Sequence, residues 1–336
     1  MDKAKLAIYW ASACGGCDIS IMELGEHLLE LAQLADIIFW PCAMDFRYDD
    51  VERMEDGYID ITLFNGSIRT SEDLHIARLL RTKSKALIAF GSCAIEGCVP
   101  GLSNIRGADY ALKRAFQDAP GIENGEGGLL DRLANAPASL GLPTLFAQLR
   151  SLEQVVDVDA YIPGCPPNHD QVWKAINLLL EQGLPQTPDR LLGVDERALC
   201  DQCPRTRKGK IRVERFYRVH EAIPDTEQCL LEQGFVCAGP ATHAGCGAAC
   251  IKANMPCRGC YGAPDGVKDQ GAALLTAVAA GLAGQTDAAI RTALATIVDP
   301  VGTFYRYSYA TSSLGQLGKS DGSHPVSDAQ LEGAAQ

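Results

Sequence analysis

Short apolar runs alternate with longer amphipathic stretches through the first half of the chain. Lys5–Trp10, Asp36–Trp40, Ile59–Phe64, Lys85–Phe90 and Val155–Ile162 are strand-length and rich in Ile, Val or aromatic residues. Between the first two, Ile21, Leu24, Leu28, Leu31 and Leu34 recur at a helical period and predict one amphipathic helix. Ser71 is the expected N-cap of a second helix, with Glu72 and Asp73 suiting its positive end. Asp170 is the expected start of a third, which carries Val172, Trp173, Ile176, Leu179 and Leu180 and stops at Gly183. Strand–helix units in series need right-handed crossovers and a parallel sheet. Residues 1–184 are therefore expected to form a doubly wound α/β domain.

The pattern changes after Gly183. Pro185 and Pro188 mark a linker, and apolar periodicity fades as far as Gly266. A smaller, irregular domain is expected over 185–319. Within it Ala272–Ala295 reads as one Ala-rich helix and Val301–Tyr309 as an extended segment. Residues 320–336, polar and rich in Gly, Ser and Ala, read as a flexible tail. So little periodic apolar sequence is not expected to build a core of its own, so bound metal is expected to hold this domain together.

A length of 336 residues suits two domains. A hydrophobic content of 47% excludes wholesale disorder, and a net charge of −12 argues against a nucleic-acid binder, which needs a basic face. The longest weakly polar run, Gly271–Gly284, is too short to span a bilayer. The apolar part of the N-terminus, Leu6–Trp10, is shorter than a secretory leader's, so Ala11–Cys14 is discounted as a lipoprotein site and the chain is expected to be cytoplasmic.

Fourteen cysteines change the picture. A reducing compartment rarely keeps disulfides, so this many thiols point to metal. Cys14 and Cys17 follow the first strand as C-x2-C; Cys93 follows the fourth and Cys165 the fifth. In an open parallel sheet the loops after the strands share one edge, where four such thiols can converge. Cys200 and Cys203 form a second C-x2-C, followed by Cys229 and Cys237. Cys246, Cys250, Cys257 and Cys260 make a compact third group, and Cys42 and Cys98 are left over. Thiolate sets of this kind suit zinc or iron–sulfur clusters. A zinc-stapled scaffold without redox activity is the bland alternative. Ligands spread along a sheet edge, in three all-thiolate groups, fit an electron relay better.

These residues carry a resemblance. Cys14-Gly15-Gly16-Cys17, Gly91-Ser92-Cys93-Ala94 and Pro163-Gly164-Cys165-Pro166-Pro167 look like the proximal-cluster motifs of nickel–iron hydrogenase small subunits, and Pro256-Cys257-Arg258-Gly259-Cys260 like the medial-cluster motif. The resemblance implies a flavodoxin-like first domain, a cluster-bearing second domain and a large partner subunit holding the nickel–iron site. It implies three [4Fe-4S] clusters: proximal on Cys14, Cys17, Cys93 and Cys165; medial on Cys246, Cys250, Cys257 and Cys260; distal on Cys200, Cys203, Cys229 and Cys237. Electrons from H2 oxidation in the large subunit would pass along them to an acceptor subunit.

Departures from the membrane-bound members narrow the type. Their distal set usually begins with His-x2-Cys; here Cys200 stands in that place. Many of them carry three medial cysteines and a three-iron cluster; here Cys250 supplies a fourth. The twin-arginine leader and membrane anchor of those members are not expected here. The chain is similar to the cytosolic methyl-viologen-reducing, F420-non-reducing type that feeds heterodisulfide reductase, and Asp299–Ser313 is also like that branch. The alternative is an F420-reducing hydrogenase or a sulfhydrogenase. Cys98 stands where oxygen-tolerant relatives carry an extra cysteine, but Gly15 and Gly16 lack its companion, and Asn65-Gly66 stands where those relatives show Glu-Gly. Cys98 and Cys42 are therefore expected to be buried bystanders. The basic run Arg205, Arg207, Lys208, Lys210, Arg212 and Arg215 is expected to be a solvated loop, a counter-charge to a cluster, or a dock for an acidic redox partner. His27, His75, His169, His220, His243 and His324 show no paired metal spacing and are expected to be surface or core histidines; His169, close to Cys165 in sequence, could hydrogen-bond near that cluster.

Overall fold

The computed structural model describes residues 3–44, 47–123, 128–134, 136–137, 140–186, 190–209 and 212–316, and the side chains of 131, 133 and 134 are excepted. Pro188, Lys210, His324 and the expected tail at 320–336 lie outside the described residues. Seven strands fall in the first part: β1 (Ala4–Trp10), β2 (Ala35–Phe39), β3 (Ile59–Asn65), β4 (Ile68–Thr70), β5 (Ser84–Phe90), β6 (Leu145–Arg150) and β7 (Ala160–Ile162). Five of them form one parallel sheet in the order β2-β1-β3-β5-β7. This is the flavodoxin-like winding, with its switch point beside β1.

Alternation along each strand divides the core between the two faces. Leu6 and Ile8 of β1, with Leu63, Ile88 and Ile162, pack on Ile21, Leu31, Val172, Ile176 and Leu179. Ala7 and Tyr9, with Phe64, Leu87 and Ala89, pack on Leu74, Ala77 and Leu80 of the helix Ser71–Lys83. In register, Ile8 opposes Leu63 and Leu63 opposes Ile88, so the strand ends line up and the loops after β1, β5 and β7 leave the same edge.

Several local expectations are corrected. The stripe from Ile21 to Leu34 belongs to two helices, Gly16–Met22 and His27–Leu34, separated by a turn in which Gly25 takes φ 58°. Thr70, not Ser71, caps the second helix: its Oγ1 accepts from Asp73 N at 3.1 Å, and Asp73 Oδ2 accepts from Thr70 N at 2.8 Å. Asn168, not Asp170, caps His169–Gln182, accepting from Gln171 N at 2.8 Å. Only the end of Val155–Ile162 is strand. The antiparallel pair of β4 and β6 had no clear signal in the apolar pattern.

In the second part, β8 (Asp195–Ala198) pairs with β9 (His243–Ala244). The Ala-rich stretch is two helices, Gln270–Ala280 and Asp287–Leu294, because Gly281 and Gly284 interrupt it and Thr286 caps the second. Val301–Tyr309 is not extended: Asp299 caps a short helix, Pro300–Phe304, with proline at its first position. A third apolar cluster gathers Leu199, Val213, Phe216, Leu230, Phe235, Leu274, Val278 and Phe304. This part therefore has an apolar core, assembled from distant segments and with Cys237 and Cys257 built into it. Among the described residues no helix is long and apolar enough to cross a membrane.

Candidate metal centre

The loop after β1 turns at Gly15, φ 81°, and places Cys17 at the start of Gly16–Met22. The loop after β5 turns at Gly91, where a Cβ would come within 2.3 Å of Cys17 Sγ. Glycine is required at Gly91 both for φ 82° and for the approach of that sulfur. Ser92 N donates to Gly164 O at 2.8 Å, which ties the Cys93 loop to the Cys165 loop. Burial holds the Cys17 thiol above its ordinary range, and Cys165, Asp18, Cys14 and Cys98 add to the effect. The structure thus gathers Cys14, Cys17 and Cys165, with Cys93 joined to them through Cys98.

Cys98 is buried, but it is not remote. Its Sγ lies 3.5 Å from Cys165 Sγ, and it is hydrogen-bonded to Cys93 as well. Cys42 is exposed rather than buried and donates to Asp18 Oδ1 at 3.2 Å. Asp18 itself is buried and also accepts from Trp40 Nε1 at 2.7 Å and Asn65 Nδ2 at 2.8 Å. It pins the ends of β2 and β3 to the Cys17 loop. Its position directly after the C-x2-C was the available signal.

The other two groups also assemble. Burial pushes Cys200 up to about 12, Arg207 pulls it down, and Cys237, Cys229 and Cys203 raise it again. Cys260 is likewise pushed to about 12, by burial and then by Cys165, Cys246 and Cys250. Cys257 is raised by burial, then by Cys237 and Cys260, and its N–H donates to Cys237 Sγ at 3.3 Å. Two side chains hold these loops. Gln270, buried, donates to Gly259 O at 2.8 Å and Ala241 O at 3.1 Å. Ser92 Oγ donates to Cys260 O at 2.6 Å and joins the first thiol group to the third.

The basic run has no single role. Arg205 is buried, donating to Gln228 O at 2.9 Å, Asn254 Oδ1 at 2.5 Å and Asp225 O, while Arg215 pairs with Glu221 at 2.9 Å. His169 is exposed and lies 3.5 Å from Asp170 rather than reaching the Cys165 loop. Among the described residues no three His, Cys, Asp or Glu side chains converge tightly enough for a single metal ion. All-thiolate groups suit an iron–sulfur cluster, and glycine leaves room beside a sulfur: a Cβ at Gly239 would lie 3.3 Å from Cys200 Sγ.

A doubly wound sheet with thiols on its strand-end loops defines a class, and residues 14–179 match the family described as NADH ubiquinone oxidoreductase, 20 Kd subunit. The chain is 36% identical over 285 residues to the iron–sulfur subunit of the F420-non-reducing hydrogenase of Archaeoglobus profundus, covering 83% of this chain and 88% of that one. It is 32% identical over 328 residues to the corresponding F420-non-reducing hydrogenase subunit of Methanothermobacter marburgensis, covering 96% and 99%. A chain of an NAD+-reducing [NiFe]-hydrogenase in the H2-reduced state is 27% identical with a TM-score of 0.47, covering 56% of this chain and 96% of that one. The chain belongs to the family of these F420-non-reducing hydrogenase subunits and is a hydrogenase subunit.

Proposed function

We propose that the chain is the electron-transfer small subunit of a cytoplasmic nickel–iron hydrogenase. Cys14, Cys17, Cys93 and Cys165 would hold a proximal [4Fe-4S] cluster; Cys246, Cys250, Cys257 and Cys260 a medial one; Cys200, Cys203, Cys229 and Cys237 a distal one. Such clusters supply one-electron redox chemistry when bound. The chain's own residues fix where the thiols stand: Gly91 admits the Cys17 sulfur, Gln270 and Ser92 tie down the Cys257–Cys260 loop, and Asp18 braces the first loop.

The large subunit with its nickel–iron site would cover the sheet edge at Cys14. Elements at that edge present exposed Trp10, Ile19, Met22 and Met44, apolar surface that a partner would remove from water. An acceptor of the heterodisulfide-reductase type would take the electrons. What supports the reading is the electrostatic reach of Cys17 to Cys14 and Cys165, of Cys200 to Cys203, Cys229 and Cys237, and of Cys260 to Cys246 and Cys250. The test is anaerobic purification of the native protein with iron, sulfide, zinc and subunit analysis. About twelve irons per chain, comparable sulfide and a co-purifying nickel protein are expected. A colourless protein carrying zinc would overturn the reading.

A further inference from the structure

Arg69, in the middle of β4, is 9% exposed, yet its guanidinium makes no hydrogen bond or ion pair with another described residue. Its Nη1 is both out of contact with solvent and unpartnered, while the rest of the fork still meets the surface. Asp73 binds the backbone of this strand and not the guanidinium: its Oδ2 accepts from Arg69 N at 3.0 Å, Thr70 N at 2.8 Å and Ser12 Oγ at 2.8 Å. Arg205 shows the contrast. Where this chain buries that guanidinium without a carboxylate, it surrounds it with Gln228 O, Asn254 Oδ1 and Asp225 O.

A guanidinium stays charged inside a protein, and a buried charge without a counter-ion is strongly unfavourable. Burial alone holds Arg69 below its ordinary range; no charge on another described residue adds to that or offsets it. Arg150, half-buried and opposite Ile68 on β6, is in the same state and also lacks an ion pair or hydrogen bond with a described residue. The place is the sheet edge that carries the first thiols. Ser67, two residues before Arg69, exchanges backbone bonds with Ser12 at 3.0 and 3.2 Å, and Ser12 lies two residues before Cys14. Trp10, 42% exposed, ends the strand that leads there. A buried guanidinium open on one side, beside exposed apolar surface, fits a carboxylate brought by another protein, whose two oxygens match the fork.

We propose that Arg69 pairs with a carboxylate of the large partner subunit and helps seat that subunit over the Cys14 edge. The pairing rests on the reading of the chain as a hydrogenase small subunit. The first measurement is subunit affinity of the anaerobically purified complex, by native mass spectrometry over a dilution series. Arg69→Met should weaken association at least about tenfold with iron per chain unchanged, and Arg197→Gln, whose guanidinium pairs with Asp195 at 2.6 Å, should leave it as it is. Iron lost together with affinity would assign Arg69 to the fold of its own chain and overturn the pairing. The second is carbodiimide treatment of the complex carrying Arg69→Lys, since that reagent joins an amine to a carboxylate in contact with it. Peptide mapping should find position 69 linked to an Asp or Glu of the large subunit. Unaltered affinity, or no link from position 69 to the large subunit, overturns the proposal. The two readings fail separately: a preparation of the unaltered chain without a nickel protein sinks the small-subunit assignment, whereas a complex that keeps its affinity in Arg69→Met sinks the pairing alone.

Discussion

On the proposed cluster assignment, Cys250 is the cysteine on which the count of medial irons turns. It is exposed and sits in the short helix Ala249–Lys252, beside Cys246 and Cys260 in the electrostatics of the group. A thiolate there can hold a corner iron and a methyl group cannot, so Cys250→Ala should convert one cluster to a three-iron form. Electron paramagnetic resonance of oxidised protein checks this, because a three-iron cluster is then paramagnetic. A silent spectrum with undiminished iron would remove Cys250 from the ligand set and return Cys98, 3.5 Å from Cys165, to consideration. Glu96 invites a different test. It lines a cavity of about 320 Å³ with Tyr161, Arg190 and His243, and burial pushes its carboxyl up to about 7. A carboxyl that holds its proton more tightly folded than unfolded stabilises the fold below its unfolded pKa. That contribution is lost as pH rises through the folded value. The melting temperature of the wild type relative to Glu96→Gln should therefore fall from the ordinary value of 4.5 to about 7 and then level.

The loops and helices that carry the thiols respond to backbone changes. Gly91→Ala would force φ 82° on a residue with a Cβ and drive that carbon to 2.3 Å from Cys17 Sγ. Iron per chain should drop by about four while the other two groups stay loaded, as iron analysis would show. Gln270→Leu strips hydrogen bonds from two buried carbonyls, Gly259 O and Ala241 O, and should cost about 1–3 kcal/mol, read as a lower melting temperature. The contrast between the two positions explains what the sequence made legible. Strand-end loops are visible because β1, β3 and β5 are continuous apolar runs and Gly-Ser-Cys or Cys-Gly-Gly-Cys follows two of them. The core of the second part is not legible in the sequence because Leu199, Phe216, Leu274 and Phe304 meet only in three dimensions, with no local period to announce it. Gln270 acts through a side chain aimed across the fold, and Ser92 through a carbonyl 168 positions away. Gln270 leaves no motif, and Ser92 lies in one that does not announce this bond. The Ala-rich helix was read as one because alanine's propensity masks the two glycines that break it.

The chain as a whole carries a charge of −12 and a split of labour. If it holds the proposed clusters, the subunit expressed without its large partner should take up iron yet show no hydrogen uptake in a methyl-viologen assay. Hydrogen oxidation by a nickel-free preparation would contradict the division between the subunits. The link from Ser92 Oγ to Cys260 O bears on how such a molecule is made. Translation runs from the N-terminal side, so Cys14, Cys17 and Cys93 leave the ribosome while Cys165 and Cys260 are still unwritten. Ser92, beside Cys93, finds its carbonyl partner on one of the last cysteines to be synthesised. On the proposed assignment, iron delivery to those first thiols would be completed only after Cys165 and Cys260 have been made.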